Sequence, residues 1–328
     1  MPKKPKTYWV GFDLGGTKMS AYVFNNSFHI LGKVKVKTPA RQGFKACLEK
    51  IKAVILEALN QAGVIPATLS GIGIGYAGTV NTEKGRILSS PNIGWTQVPL
   101  IKELRKSFKC PILLLNDVDA GVYGEYLFGA GRKSRCLAGI FIGTGIGGGC
   151  VYEGKIIQGM NSSCFEIGHM QMMPHGPLCG CGKRGCLEAM ASRLAVSAAA
   201  AISVYRGQSP ALHKAAGMDL SAIKSGELAA SVKSKDKVVL QILKESAGWI
   251  GMAAANLVNL ILPDRIILGG GMAEAMPELF CREVFYAARE RVMPVFRDQF
   301  KVVCAKLGDD ATAMGAAAWV KEKTGSLK

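Results

Sequence analysis

The chain is predicted to be an α/β protein of two similar halves, each opening on a β-hairpin around a glycine turn. Three observations carry that prediction. Short apolar or alternating runs of strand length alternate with longer runs of helical spacing. The layout strand, glycine turn, strand occurs twice, in VGFDLGGTKMSAYVF and in LAGIFIGTGIGGGCVYEGKIIQG, with the turns about 130 residues apart. Polar residues stand at the ends of buried strands, which favours a ligand site in the cleft between the halves.

The elements follow in order. TYWVGFDL (Thr7–Leu14) and MSAYVFN pair across the turn GGT, and GKVKVKT continues the alternation as a third strand. Gly43–Gly63 places Phe44, Cys47, Leu48, Ile51, Val54, Ile55, Ala58 and Leu59 at helical spacing and ends on a glycine. LSGIGIGYAG is a buried strand that runs into a glycine loop. PLIKELRKSF is a short helix, CPILLLND a buried strand ending in two polar residues, and VDAGVYGEYLFGAG a helix. The second half opens with its own hairpin and closes with a long helix (Val238–Leu262), the strand RIILGGG, the amphipathic helix PELFCREVFYAARERV, the strand KVVCAKLG and a last helix, DDATAMGAAAWVKEK.

The length of 328 residues suits two domains, and 49% hydrophobic with 20% charged residues supplies a packed core. The apolar run Trp249–Leu262 is cut by Asn256 and Asn259 and reads as a buried helix, so no membrane association is expected. The N-terminal lysines precede no apolar segment, which points to the cytoplasm. Seven of the ten cysteines are isolated in apolar surroundings and read as small core residues of a reducing compartment. The net charge of +17 would attract polyanions, yet the 41 Lys and Arg are dispersed and carry few aromatics between them. The densest runs, GKVKVK and KSKDK, read as solvated strand and loop faces.

Backbone N–H groups unobstructed by Cβ atoms are what phosphates seek. GTGIGGG (Gly143–Gly149) holds five glycines in seven residues. It contains G-x-G-x-x-G formally, but leads into the β pattern CVYEGKII rather than a helix, so a nicotinamide dinucleotide is not expected. DLGGTK (Asp13–Lys18) lacks the Walker spacing. LGGG (Leu268–Gly271) could admit a purine or ribose, or be an ordinary strand-to-helix turn.

Asn116 and Asp117 stand where a buried strand ends. An aspartate there is either a general base, ionised at neutral pH, or half of a helix-capping pair. Cys179-x-Cys181-x4-Cys186 sets three thiolates among glycines, and a tetrahedral zinc needs a fourth ligand. His169, ten positions before Cys179, and His175, four before it, both qualify by spacing. Redox chemistry would more often use Cys-x-x-Cys.

Asp-x-Gly-Gly-Thr-Lys at 13–18, the hairpin 143–149 and the segment Cys179–Glu188 resemble the ROK family of bacterial sugar kinases and related repressors, over about residues 10–318. The cysteine segment is the most specific of the three. The resemblance implies a two-domain actin/hexokinase-like fold, a duplicated ribonuclease H-like unit with the active site in the cleft between domains. Residues 1–116 would form a small domain, with the helix at about 312–325 packing back on it, and 117–311 a larger one that holds the zinc loop 165–188. It implies ATP, Mg²⁺ and a structural Zn²⁺. Asp13 would orient Mg²⁺ through water. Gly15, Gly16, Thr17 and Lys18, with Gly143, Thr144, Gly145, Gly147 and Gly148, would flank the phosphates, and Gly269, Gly270 and Gly271 would face the adenosine. Asp117 would be the base, with Asp119 the capping neighbour. The family pattern Glu-x-Gly-His selects His169 as the ligand to join Cys179, Cys181 and Cys186. Glu166, His169, Glu188, Gly78, Asn92, Asn116 and Asp117 would hold the sugar. Trp95 is expected in the core or a hinge.

These expectations converge on an ATP-dependent hexokinase, glucose the foremost substrate. N-acetylglucosamine, N-acetylmannosamine, fructose or allose remain alternatives, as does polyphosphate as donor. Twelve residues precede Asp13, too few for a repressor's helix-turn-helix, so no nucleic-acid partner is expected. The expected assembly is a homodimer or homotetramer.

Overall fold

The computed structural model describes residues 7–90, 94–160 and 164–325 of the chain. Its strands and helices divide between two compact units, Met1–Arg132 with Lys155–Cys164 and Asp309–Lys328, and Lys133–Gly154 with Phe165–Gly308.

The first unit is built on β1 (Tyr8–Leu14), β2 (Lys18–Asn25), β3 (Ile30–Lys37), α1 (Gly43–Gln61) and β4 (Leu69–Tyr76). A small sheet of β5 (Thr79–Asn81), β6 (Arg86–Ser90) and β7 (Trp95–Val98) follows, then α2 (Leu100–Leu104), β8 (Ile112–Asn116) and α3 (Asp117–Phe128). The main sheet runs β3-β2-β1-β4-β8, antiparallel through the hairpins and parallel from β1 onward. Seven apolar residues of α1, at the spacing the sequence shows, are buried in its core. Leu48, Ile51, Val54, Ile55 and Leu59 each contribute roughly 1.5–3 kcal/mol if fully removed from water.

The second unit holds β9 (Cys136–Ile142) and β10 (Ile146–Tyr152), with β11 (Lys155–Ile156) next in the chain. It continues through α4 (Leu187–Ala191), α5 (Arg193–Tyr205), α6 (Pro210–Ala216), α7 (Ser225–Lys233), α8 (Lys237–Ile261), β12 (Arg265–Gly269), α9 (Gly270–Ala275), α10 (Pro277–Arg289) and β13 (Lys301–Cys304). Its strands follow the order β10-β9-β12-β13, with β9 and β10 antiparallel and β9, β12 and β13 parallel. That is the arrangement of β2-β1-β4-β8. The duplication suspected from two glycine turns is therefore present in the strand topology.

The last helix, α11 (Ala311–Gly325), returns to the first unit and packs on β1, β4 and α3. It approaches so closely that a Cβ on Gly11 would strike the Ala313 carbonyl, and one on Gly73 the Ala316 carbonyl. Only glycine-faced strands accept a helix backbone at that distance. Because α3 packs along α11, the first compact unit extends past the expected border at residue 116 to Arg132.

Lys33 and Lys35, read as a solvated strand face, are exposed, and they form ion pairs with Asp310 and Asp309. In KSKDK, Asp236 caps α8 by accepting from the Val238 and Val239 amides, both at 3.1 Å. Cys281 and Cys304, read as isolated, are bridged to each other from α10 to β13, 23 residues apart in the chain. The segment Leu187–Tyr205 has the length and mean hydropathy of a membrane span, but it is two helices broken at Ser192, whose hydroxyl caps the second.

Candidate active site and metal centre

β8 ends at Asn116 and α3 begins at Asp117. The Asn116 side chain accepts from the Val118 and Asp119 amides at 2.8 and 3.2 Å, so it is the N-cap. Its Nδ2 donates to the Gly78 carbonyl at 3.3 Å, which brings two of the expected sugar residues together. Asp119, expected as the capping neighbour, is buried at 1% exposure and supplies only its backbone N–H to that cap. The capping is done from Asn116 because an N-cap acceptor must reach forward from an extended residue to the first free N–H groups of the helix, and Asn116 has φ −63° and ψ 147°. Asp117 is therefore not the cap. It occupies the first helical position, where the helix dipole favours negative charge.

Asp13 sits across from Ser20 on β2, and Ser20 across from Lys35 on β3. Those register partners put Asp13 and Lys35 on one face of the sheet with a small, buried serine between them. Burial pushes the Asp13 carboxyl up to about 7; Asp117 and Asp309 add to the rise and Lys35 opposes it. A carboxylate so raised and so close to other acids has the environment of a divalent-cation site, which fits Mg²⁺. In the β1–β2 turn, the Gly15 amide donates to the Lys18 carbonyl at 3.0 Å, and Thr17 and Lys18 are exposed.

In the second hairpin the turn proper is Gly143–Thr144–Gly145, with the Gly143 amide donating to the Gly145 carbonyl at 2.9 Å. Gly147 and Gly148 lie within β10, and the space a Cβ would take at Gly148 is filled by the Phe165 carbonyl and Ile167. Gly145, expected to flank the phosphates, also leaves room for Glu188: a Cβ there would lie 3.0 Å from Glu188 Cδ and nearer still to Oε2. Glu188 Oε2 accepts from the Ile146 amide at 3.0 Å. Gly269 and Gly270 pack against Phe141 and the Ile142 backbone, while Gly271 has Ser225 Oγ at 3.4 Å from its Cβ position. The chain turns closely from β12 into α9 at the first two.

The cysteine loop converges on four residues. One ligand atom each from His169, Cys179, Cys181 and Cys186 lies within 4.8 Å of all the others. Cys179 Sγ is 3.6 Å from His169 Nδ1, and Cys181 Sγ is 3.7 Å from Cys186 Sγ. Bonds of about 2.3 Å to sulfur and 2.0 Å to nitrogen place tetrahedral ligands about 3.5–3.8 Å apart, so the cluster fits a tetrahedral ion. His175 has no place in it. Burial pushes the Cys179 thiol up to about 12 and raises that of Cys186, whereas the Lys183 backbone amide lowers that of Cys181. Three thiolates this close need a cation to coexist. Cys179 Sγ also approaches Glu188 Oε1 at 3.6 Å. Glu188 therefore touches the metal loop with one oxygen and the glycine turn with the other.

Glu166 and His169 flank one 3₁₀ turn, joined by a backbone hydrogen bond of 3.0 Å, and both are exposed. Asn92 lies outside the described residues. Trp95 is in the core, edge-on to Phe44 and stacked on Tyr76. Sequence reasoning missed the Lys35–Asp309 pair beside Asp13 and the side chain of Arg193, which reaches Thr144; neither belongs to a local motif.

Comparison with known proteins agrees with this architecture. A glucokinase of Thermotoga maritima is 34% identical over 324 residues, 98% of this chain and 99% of the relative. A crystal structure of a ROK family glucokinase from Streptomyces griseus, in complex with glucose and AMPPNP, superposes with a TM-score of 0.85 at 30% identity, covering 96% of this chain and 99% of that one. A xylose repressor of Caldicellulosiruptor bescii is 27% identical over 95% of this chain, but only 77% of its own length is matched. The sequence profile of the ROK family fits residues 9–323, nearly the whole chain with both hairpins and the cysteine loop inside it, and the chain belongs to that family.

Proposed function

We propose that the chain is an ATP-dependent glucokinase, which transfers the γ-phosphoryl group of ATP to the 6-hydroxyl of glucose at the entry to glycolysis. The observation that carries this reading is the Asn116–Asp117 pair, in which the asparagine does the capping and the aspartate stands at the first position of the helix. Full-length likeness to glucokinases supports the same reading, against partial coverage of the repressor.

Phosphoryl transfer asks a protein mainly for in-line positioning and charge neutralisation. Asp117 accepts the proton of the 6-hydroxyl as the new O–P bond forms and the bond to the bridging oxygen of ADP breaks. Asn116, held against the Gly78 carbonyl, and Glu166, His169 and Glu188 take the other hydroxyls, with Asn92 a further contributor. The turns 15–18 and 143–145 flank the phosphates, and Gly271 borders the adenosine. Mg²⁺, when bound, neutralises charge on the phosphate chain, and Asp13 is the residue that would hold it through water. His169, Cys179, Cys181 and Cys186 would hold zinc with four protein ligands, a closed structural site. We further propose that the enzyme works in the cytoplasm as a homodimer or homotetramer.

A coupled assay with ATP or polyphosphate against glucose, N-acetylglucosamine, N-acetylmannosamine, fructose and allose tests this. The highest kcat/KM is expected for glucose with ATP. A different best sugar or donor would replace the assignment, and no turnover with any pair would overturn it.

A further inference from the structure

The turn Gly143–Thr144–Gly145 is gripped by the segment Glu188–Arg193. Glu188 Oε2 accepts from the Ile146 amide on one side. On the other, the Arg193 backbone amide donates to the Gly143 carbonyl at 3.0 Å, and Arg193 Nη2 donates to Thr144 Oγ1 at 2.8 Å. Ser192 stiffens the join between these holds: its amide donates to the Glu188 carbonyl at 3.1 Å, and its hydroxyl accepts from the Ala195 amide at 3.2 Å.

The Arg193 guanidinium, like those of Arg86 on the Gln97 carbonyl and Arg184 on the Gly176 carbonyl, meets a neutral acceptor, and what sets it apart is its place on the turn Gly143–Thr144–Gly145. Arg135, Arg282, Arg289 and Arg291 each face a carboxylate. Among the described residues, Arg193 has no carboxylate at ion-pair distance and uses its side chain on the neutral Thr144 hydroxyl alone. A guanidinium has five N–H donors in a planar fork suited to phosphate oxygens. A half-buried cation without a counter-charge loses solvation and gains little from one neutral hydroxyl.

We propose that Arg193 is a phosphate-binding residue of the donor site, pairing with the polyphosphate chain of the nucleotide beside Thr144. The proposal rests on the reading of turn 143–145 as the phosphate turn. It assigns the missing counter-charge to the ligand. The rival account is that Arg193 only braces Thr144.

The two accounts differ in what a charge change does. Calorimetry on the full chain would measure ATP, adenosine and glucose separately for the wild type, Arg193→Met, Arg193→Lys and Thr144→Val. Loss of a charge-assisted contact to phosphate is expected to weaken ATP binding about 10–100-fold in Arg193→Met. Adenosine and glucose affinities should stay within about twofold, and the dependence of ATP affinity on potassium chloride should flatten. Arg193→Lys, which keeps the charge and loses the fork, should fall between. Arg193→Gln replaces the Met variant if circular dichroism shows the latter unfolded.

Equal losses of ATP and adenosine, an ATP affinity unchanged in Arg193→Met, or a Thr144→Val variant matching it in loss and salt dependence would overturn the proposal. A wild type that binds no ATP would instead overturn the reading beneath it.

Discussion

Replacing Gly145 by alanine tests the seat of Glu188 with a single methyl group. The new Cβ would lie 3.0 Å from Glu188 Cδ. Non-bonded carbons settle at about 3.5–4.0 Å, so the carboxylate must withdraw by roughly 0.5–1 Å. That movement breaks or bends its 3.0 Å hydrogen bond from the Ile146 amide, leaving a backbone donor unpaired at a cost of about 1–3 kcal/mol. It also shifts an oxygen proposed to hold a sugar hydroxyl, and a displacement of about 1 Å costs on the order of 10²-fold in rate. Steady-state kinetics should therefore show kcat/KM for glucose falling about 10–100-fold, with a smaller rise in the KM for ATP through the disturbed turn. Gly248→Ala, where a Cβ meets nothing within 4 Å in the middle of α8, is the control and should leave both constants unaltered. A Gly145→Ala enzyme with wild-type glucose kinetics would refute the placement of Glu188. A loss confined to ATP would mean that Gly145 serves the phosphates alone.

The remaining predictions concern the acids and the metal. Asp117→Asn should lower kcat by roughly 10²–10⁴ with little change in glucose affinity by calorimetry; near-wild-type turnover would remove Asp117 as the base. Asp13 carries its proton to about pH 7 in the folded chain and to about 4 when unfolded. Its contribution to stability is thus complete below about pH 4 and lost as pH rises through 7. In magnesium-free buffer, Asp13→Asn should raise the melting temperature at pH 8, by at most about 4 kcal/mol of stability, and the gain should shrink towards pH 5; a pH-independent difference would contradict the burial argument. Metal analysis of purified wild type should find one zinc per chain. Cys181→Ser should raise the KM for glucose at a temperature where the chain is still folded, because Glu188 leans on Cys179, and an unaltered KM in zinc-free folded protein would count against that link.

What the sequence determined by itself is what lies within one element or one short loop. Alternation marked β3, the spacing of Cys47 to Leu59 marked the buried face of α1, and the repeated hairpins announced the duplication that the strand order bears out. The cysteine spacing likewise announced a metal cluster, since ligands ten residues apart or fewer meet by local turns, although choosing His169 over His175 took the family resemblance. Such patterns are legible because backbone geometry sets the phase of neighbouring side chains. Tertiary structure alone decided the contacts made across long stretches of chain: α11 against Gly11 and Gly73, Lys35 with Asp309, Cys281 with Cys304, Glu188 in the space beside Gly145, and Arg193 on Thr144. No periodicity encodes these pairs. Each follows from close packing, which puts a glycine where another backbone or a carboxylate must pass and a charge wherever the surrounding elements leave room for it.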